Sequence, residues 1–272
     1  MNPEPITTCY RHPDRPTGLS CTECERPICA ECSIPAAVGQ RCPQCVAQAG
    51  RQKTITARSI GRPSAQTAPL TFGFMGVAIA IHLLSVFAPG IWSDVANQLA
   101  LFNSLAVQGE WYRMFTVTLL HASLTHILFN MYALYLLGPG IEMRVGKLRY
   151  GLLFLASAGA GSALAITLGS PNDVGVGASG GVFGLFGVWA VSAFLQRNTR
   201  QGRAQFNAIL FNLAINAAIP LFVPQVSWQA HLGGFLAGLA FGWVFINVRG
   251  KDSARVHVAL LLAIILGSIL VI

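Results

Sequence analysis

The segment "GVGASGGVFGLFGVWAVSAFL", Gly175 to Leu195, opens as a glycine loop and turns into an uncharged apolar run, with Ser179 at the junction. Such a run approaches the length a helix needs to cross a bilayer, and it is too long and too continuously apolar for a barrel strand. In lipid the backbone must satisfy its own polar groups, so the run reads as a membrane helix. Comparable runs lie on either side: Phe72–Phe87, Phe115–Leu137 and Leu148–Leu168 before it, then Phe206–Val223, Gln229–Val248 and Val256–Ile272. The expected fold is an all-α polytopic membrane protein of seven helices. A 53% hydrophobic, 10% charged chain with mean hydropathy +0.56 agrees, being too apolar for an ordinary soluble domain.

Four regions are expected: a cysteine-rich head over 1–49, a basic linker over 50–69, a six-helix core over 70–250, and a joint with a seventh helix over 251–272. Met1 to Leu19 has prolines and charges but no apolar signal core, so the head is expected to stay on the side where it is made. Basic residues cluster at alternate joints: Arg51, Lys53, Arg58 and Arg62; Arg144, Lys147 and Arg149; Arg197, Arg200 and Arg203; Arg249, Lys251 and Arg255. The positive-inside rule then puts the head in the cytoplasm and the carboxyl terminus outside. This spread also explains the net charge of +8 without a nucleic-acid partner, which would need the charge gathered on one surface. Contact with anionic lipid is the expected alternative.

With directions assigned, His126 and Asn130 fall in the early turns of the second span, Ser179 at the start of the fourth and His231 near the start of the sixth. Polar side chains inside a membrane are costly, and four at one depth in co-directional helices suggest a common pocket. A serine, two histidines and an asparagine can supply a nucleophile, a base and oxyanion donors. A channel or transporter with a polar midplane site is the competing reading. His121 is five residues before His126, about 140° around a helix, and reads as a loop or interface residue. Gly180 and Gly184, and Gly234, Gly238 and Gly242, form small-residue series that would let the fourth and sixth spans pack closely.

These motifs resemble the rhomboid intramembrane serine proteases. "GASG" at Gly177–Gly180 is similar to their nucleophile motif, "AHLGGFLAG" at Ala230–Gly238 to their base-bearing helix, "HASLTHILFN" at His121–Asn130 to their second-helix motif, and "EWYR" at Glu110–Arg113 to their first-loop signature. The resemblance implies cleavage of transmembrane protein substrates near the outer face of a bacterial plasma membrane. It makes Ser179 the nucleophile, His231 the base, and His126, Asn130 and the amides of Ser179 and Gly180 the oxyanion site. Phe183 would pack beside the base, while Trp111, Arg113, Gly184, Gly234 and Gly238 would be structural. A catalytically silent rhomboid-like protein that binds membrane clients is the alternative within the family.

All seven cysteines precede residue 46, and with His12 they form four arms: Cys9–His12, Cys21–Cys24, Cys29–Cys32 and Cys42–Cys45. Short chelating arms and an odd cysteine count completed by histidine favour metal over disulfides, and eight ligands suit two structural zinc ions. The spacing resembles cross-braced B-box and RING modules, which implies Cys9, His12, Cys29 and Cys32 around one ion and Cys21, Cys24, Cys42 and Cys45 around the other. Sequential pairing is equally compatible with the spacing. Ligand spacing assigns the head no role of its own, and such a zinc scaffold can simply bind a cytoplasmic protein or peptide; the serine chemistry itself requires no cofactor.

Overall fold

The computed structural model describes residues 7–36, 39–49, 63–223, 226–250 and 252–272. Most of the expected basic linker, residues 50–62, and Lys251 lie outside them. The chain forms two compact units, Met1–Arg62 and Pro63–Ile272.

In the first unit, β1 (Thr8–Cys9) pairs with β2 (His12–Pro16) and sets Cys9 opposite His12. A second hairpin of β3 (Ile34–Pro35) and β4 (Gln40–Arg41) leads into α1 (Pro43–Ala49). The buried core here is Cys9, Cys21, Ile28, Cys29, Cys32, Cys42 and Cys45, with Tyr10 and Cys24 packed against it. Cysteine thus stands where a small domain would otherwise need aliphatic side chains.

The second unit begins with α2 (Pro69–Phe87) and α3 (Pro89–Leu99). A connecting segment follows, made of β5 (Leu101–Phe102), α4 (Asn103–Val107), α5 (Arg113–Thr116) and a 3-10 turn at Val117–Leu119. Then come α6 (Leu124–Val145), α7 (Lys147–Leu168), β6 (Val174–Gly175), α8 (Ser179–Leu195), α9 (Arg200–Phe222), α10 (Trp228–Asn247) and α11 (Ser253–Leu270). Among the described residues, α2, α6, α7, α10 and α11 are long and apolar enough to span a membrane, and α8 is a shorter apolar helix. Large side chains such as Phe87, Phe129, Leu148 and Phe211 stay exposed on the helix surfaces, as lipid-facing positions do.

The second span differs most from its expected bounds, Phe115–Leu137. The apolar residues Phe115–Leu120 belong to the preceding connection, where Val117 and Leu120 are buried against the bundle. Ser123 then starts α6 afresh, its hydroxyl accepting a bond from the His126 amide at 3.2 Å. At its other end α6 continues past Pro139 to Val145 and includes Glu142, 2% exposed. That carboxylate accepts bonds from the Leu70 and Thr71 amides and the Thr71 hydroxyl, at 3.0, 2.9 and 2.7 Å. It closes the open amino end of α2, so the buried charge is fully partnered.

Candidate active site and metal centres

The starts of α6, α8 and α10 converge. Gly177, just ahead of α8, has φ +132°, and a Cβ there would meet the His126 ring at 2.8 Å. Only glycine therefore lets the turn into Ser179 pass beside His126. The first helical bond of α8, Val182 to the Ala178 carbonyl at 3.0 Å, leaves the amides before it outside the ladder, at the positive end of the helix. Asn130, one turn along α6 from His126, is buried and donates to the His126 carbonyl at 3.0 Å. In α10, Ser227 caps the helix by accepting from the Ala230 amide at 3.1 Å, and His231 lies flat on Phe183, ring centroids 4.1 Å apart and 9° from parallel. Ser179, His231, His126, Asn130, Gly180 and Phe183 all line one cavity of about 1910 Å³ bounded by α6, α8, α9 and α10.

Ser179 and His231 both line this cavity with no hydrogen bond between them among the described residues, and His231 Nδ1 is buried without a partner there. The carboxylate on the cavity lining, Asp173, is held by the Ser170 amide at 2.8 Å. His121 sits in the loop before α6, is 1% exposed, and its ring meets His126 edge-on at 5.1 Å. His82 of α2 donates from Nδ1 to the His121 carbonyl at 3.3 Å.

Glycine sets the spacing of the helices that carry Ser179 and His231. A Cβ on Gly234 would lie 2.0 Å from the Gly180 carbonyl oxygen, and one on Gly238 would lie 2.0 Å from that of Gly184. On the other side of α10, a Cβ on Gly233 would lie 2.4 Å from the Ala160 carbonyl of α7. The glycine loop is fixed from the connecting segment: β5 pairs with β6, Leu101 opposite Gly175, and the Gly177 amide donates to Val117 at 3.0 Å. Arg113 holds that segment, donating to Glu110 at 2.6 Å and to the carbonyls of Asn97 and Ala100 at 2.8 and 2.9 Å. Trp111 is 48% exposed and touches Phe115 edge-on.

In the head, the ligand atoms of Cys9, His12, Cys29 and Cys32 lie within 4.8 Å of one another, as do those of Cys21, Cys24, Cys42 and Cys45. Each quartet takes alternate arms. The seven cysteines are free thiols, and His12 directs Nδ1 at Cys29 and Cys32, 3.4 and 3.5 Å away. Burial and neighbouring thiols push Cys32 up to about 11 and Cys45 up to about 12. Such crowded thiols cannot all ionise unless a cation joins them, so each quartet fits a metal ion. Arg26 donates to Cys24 Sγ at 3.3 Å and partly offsets the charge of the all-cysteine set.

The Rhomboid domain family model matches residues 108–248 of the 272, which is more than half of the chain. The chain belongs to the rhomboid family. It is similar to the Bacillus subtilis (strain 168) protein YdcA, 34% identical over 163 residues that cover 60% of this chain and 78% of that one. RHOMBOID-like protein 1 of Arabidopsis thaliana is 40% identical over 140 residues, 50% of this chain and 35% of that protein. Rhomboid protease GluP of Bacillus subtilis (strain 168) is 31% identical over 172 residues, 62% of this chain and 33% of that protein. The chain thus spans about a third of the length of the latter two. With its apolar helices, this rhomboid chain is a multi-pass membrane protein. The rhomboid match leaves out the head, whose residues lie before 108. Three parts of the arrangement escape local sequence reading: the β5–β6 pairing, the Arg113 contacts that hold it, and Ser157, which would collide with any Cβ at Gly184. The tryptophan-arginine pair in "EWYR" is the signal for the second of these.

Proposed function

We propose that this chain is an intramembrane serine endopeptidase that uses a Ser179–His231 dyad. The observation that carries the reading is the meeting of three helix starts around one cavity, with His231 stacked one turn below Ser179 on Phe183. Ser179 Oγ attacks the scissile carbonyl carbon while His231 takes its proton. The oxyanion is held by His126, Asn130 and the free amides at the start of α8. Breakdown expels the amine, which receives the proton from His231, and leaves an acyl ester on Ser179. Water then attacks that ester, His231 again accepting and returning the proton, and Ser179 is regenerated. The Ser179–His231 hydrogen bond forms as substrate expels water, since such contacts are often loose in free enzymes.

Substrates of this reading are transmembrane segments of other proteins, entering the cavity from the lipid between α6 and α9. The head and the basic joints face the cytoplasm and the dyad the opposite side. The head holds two zinc ions, one in each quartet, and these contribute folding energy; thiolate-rich tetrahedral sets select zinc among common ions. Its surface serves a cytoplasmic protein partner. A fluorophosphonate probe applied to the purified chain tests the nucleophile: labelling that vanishes in Ser179→Ala and in His231→Ala is expected. Labelling that persists in Ser179→Ala would reject the assignment. A client-binding protein without catalysis would give no labelling at all.

A further inference from the structure

At the end of the bundle remote from Ser179, a second cavity of about 510 Å³ lies among the ends of α6, α7, α8, α10 and α11. Arg144, Arg149 and Arg249 line it, together with the hydroxyl-bearing Ser192 and Ser253, and among the described residues no carboxylate lines it. Among the described residues none of the three arginines has a salt-bridge partner. His257, from α11, also lines the cavity and is 2% exposed. Its Nδ1 faces Arg149 Nη1 at 3.2 Å. A guanidinium can only donate, so Nδ1 accepts and the proton sits on Nε2. That Nε2 is itself buried and has no partner among the described residues, so Nδ1 is the ring's one engaged nitrogen there.

The cavity therefore offers guanidiniums and hydroxyls, with no carboxylate among its described lining residues to answer them. Phe245, against which the Arg149 guanidinium sits 5.5 Å from the ring centroid, provides an apolar wall. The geometry points to a binding site for a phosphate group, with Arg144 and Arg249 clamping its oxygens and Arg149, held by His257, at its floor. Planar guanidiniums match phosphate oxygens in pairs. All three arginines stand at helix ends, the level of lipid headgroups, so an anionic phospholipid is the source within closest reach. The seventh helix, α11, would then complete a lipid site and not merely add a span.

The test uses the full chain, stripped of lipid in maltoside detergent. Three probes are added separately: dioctanoyl-phosphatidylglycerol, dioctanoylglycerol without phosphate, and inorganic phosphate. Native mass spectrometry reads retained ligand, and the thermal midpoint reads stabilisation. Phosphatidylglycerol should bind as a single retained copy and raise the midpoint. In Arg144→Gln/Arg249→Gln, two exposed positions, its affinity should fall by at least about tenfold. His257→Phe, which removes the acceptor that holds Arg149 and keeps an aromatic ring, should weaken it as well. Equal effects from inorganic phosphate would keep the site and assign it to a soluble phosphate. Equal binding of dioctanoylglycerol, or undiminished phosphatidylglycerol binding in the double variant, would overturn the proposal, as would no binding of either phosphate probe.

Discussion

Gly234→Ala tests the packing that brings α8 and α10, the helices of the proposed dyad, together. The added methyl carbon would lie 2.0 Å from the Gly180 carbonyl oxygen and 2.8 Å from its carbon, both backbone atoms that cannot rotate away. To reach an ordinary contact of about 3.3 Å the helices must separate by roughly 1.3 Å, opening the seam on which dispersion contacts depend. Overpacking of this kind costs about 1–3 kcal/mol. The same displacement moves His231, on the preceding turn of α10, away from Ser179, beside Gly180. A misplacement near 1 Å can cost about a hundredfold in rate. Gly76→Ala is the control, since a methyl there meets nothing within 4 Å. It should be neutral or stabilise by up to about 1 kcal/mol. Residual folded protein after heating in detergent, scored by size exclusion, reads stability, and cleavage of a reporter transmembrane segment reads rate. If Gly234→Ala matches the wild type in both, close contact between α8 and α10 is not what holds the site.

Other parts of the structure make separate demands. Arg113→Ala should cost about 2–3 kcal/mol by orphaning buried carbonyls and should slow reporter cleavage through the β5–β6 pairing, and Arg113→Lys should rescue little because lysine lacks the fork; both are read by the same heating and cleavage assays. Glu142→Ala should destabilise by about 3 kcal/mol by opening the amino end of α2, with Glu142→Gln less damaging, measured by detergent melting. Elemental analysis should find about two metal ions per chain, falling to about one in Cys24→Ser, while a chain beginning at Thr67 should retain reporter cleavage.

The apolar helices and the proposed nucleophile Ser179 are legible because hydropathy and glycine-rich motifs are local signals. The start of α6 is not, because Phe115–Leu120 is as apolar as a span and only tertiary burial makes it a connection. Glu142 illustrates the same limit: a carboxylate late in an apolar helix acquires its meaning from α2, more than 70 residues away. The stacking of Phe183 on His231 follows from motif position, whereas the β5–β6 pairing joins residues with no pattern linking them. In the head the arms are evident but their partners are not, since each CxxC arm chelates equally well with any other; the chain path decides. His257 gives no sequence sign of lining a basic cavity, because its arginine neighbours come from other helices.

The most direct measurement reconstitutes the purified chain in liposomes with a reporter transmembrane substrate and follows product by gel and mass spectrometry. Wild-type protein should give one discrete cut in or at the edge of the membrane segment, and Ser179→Ala and His231→Ala should each give none while remaining folded. Cleavage at the wild-type rate by either variant would contradict the dyad.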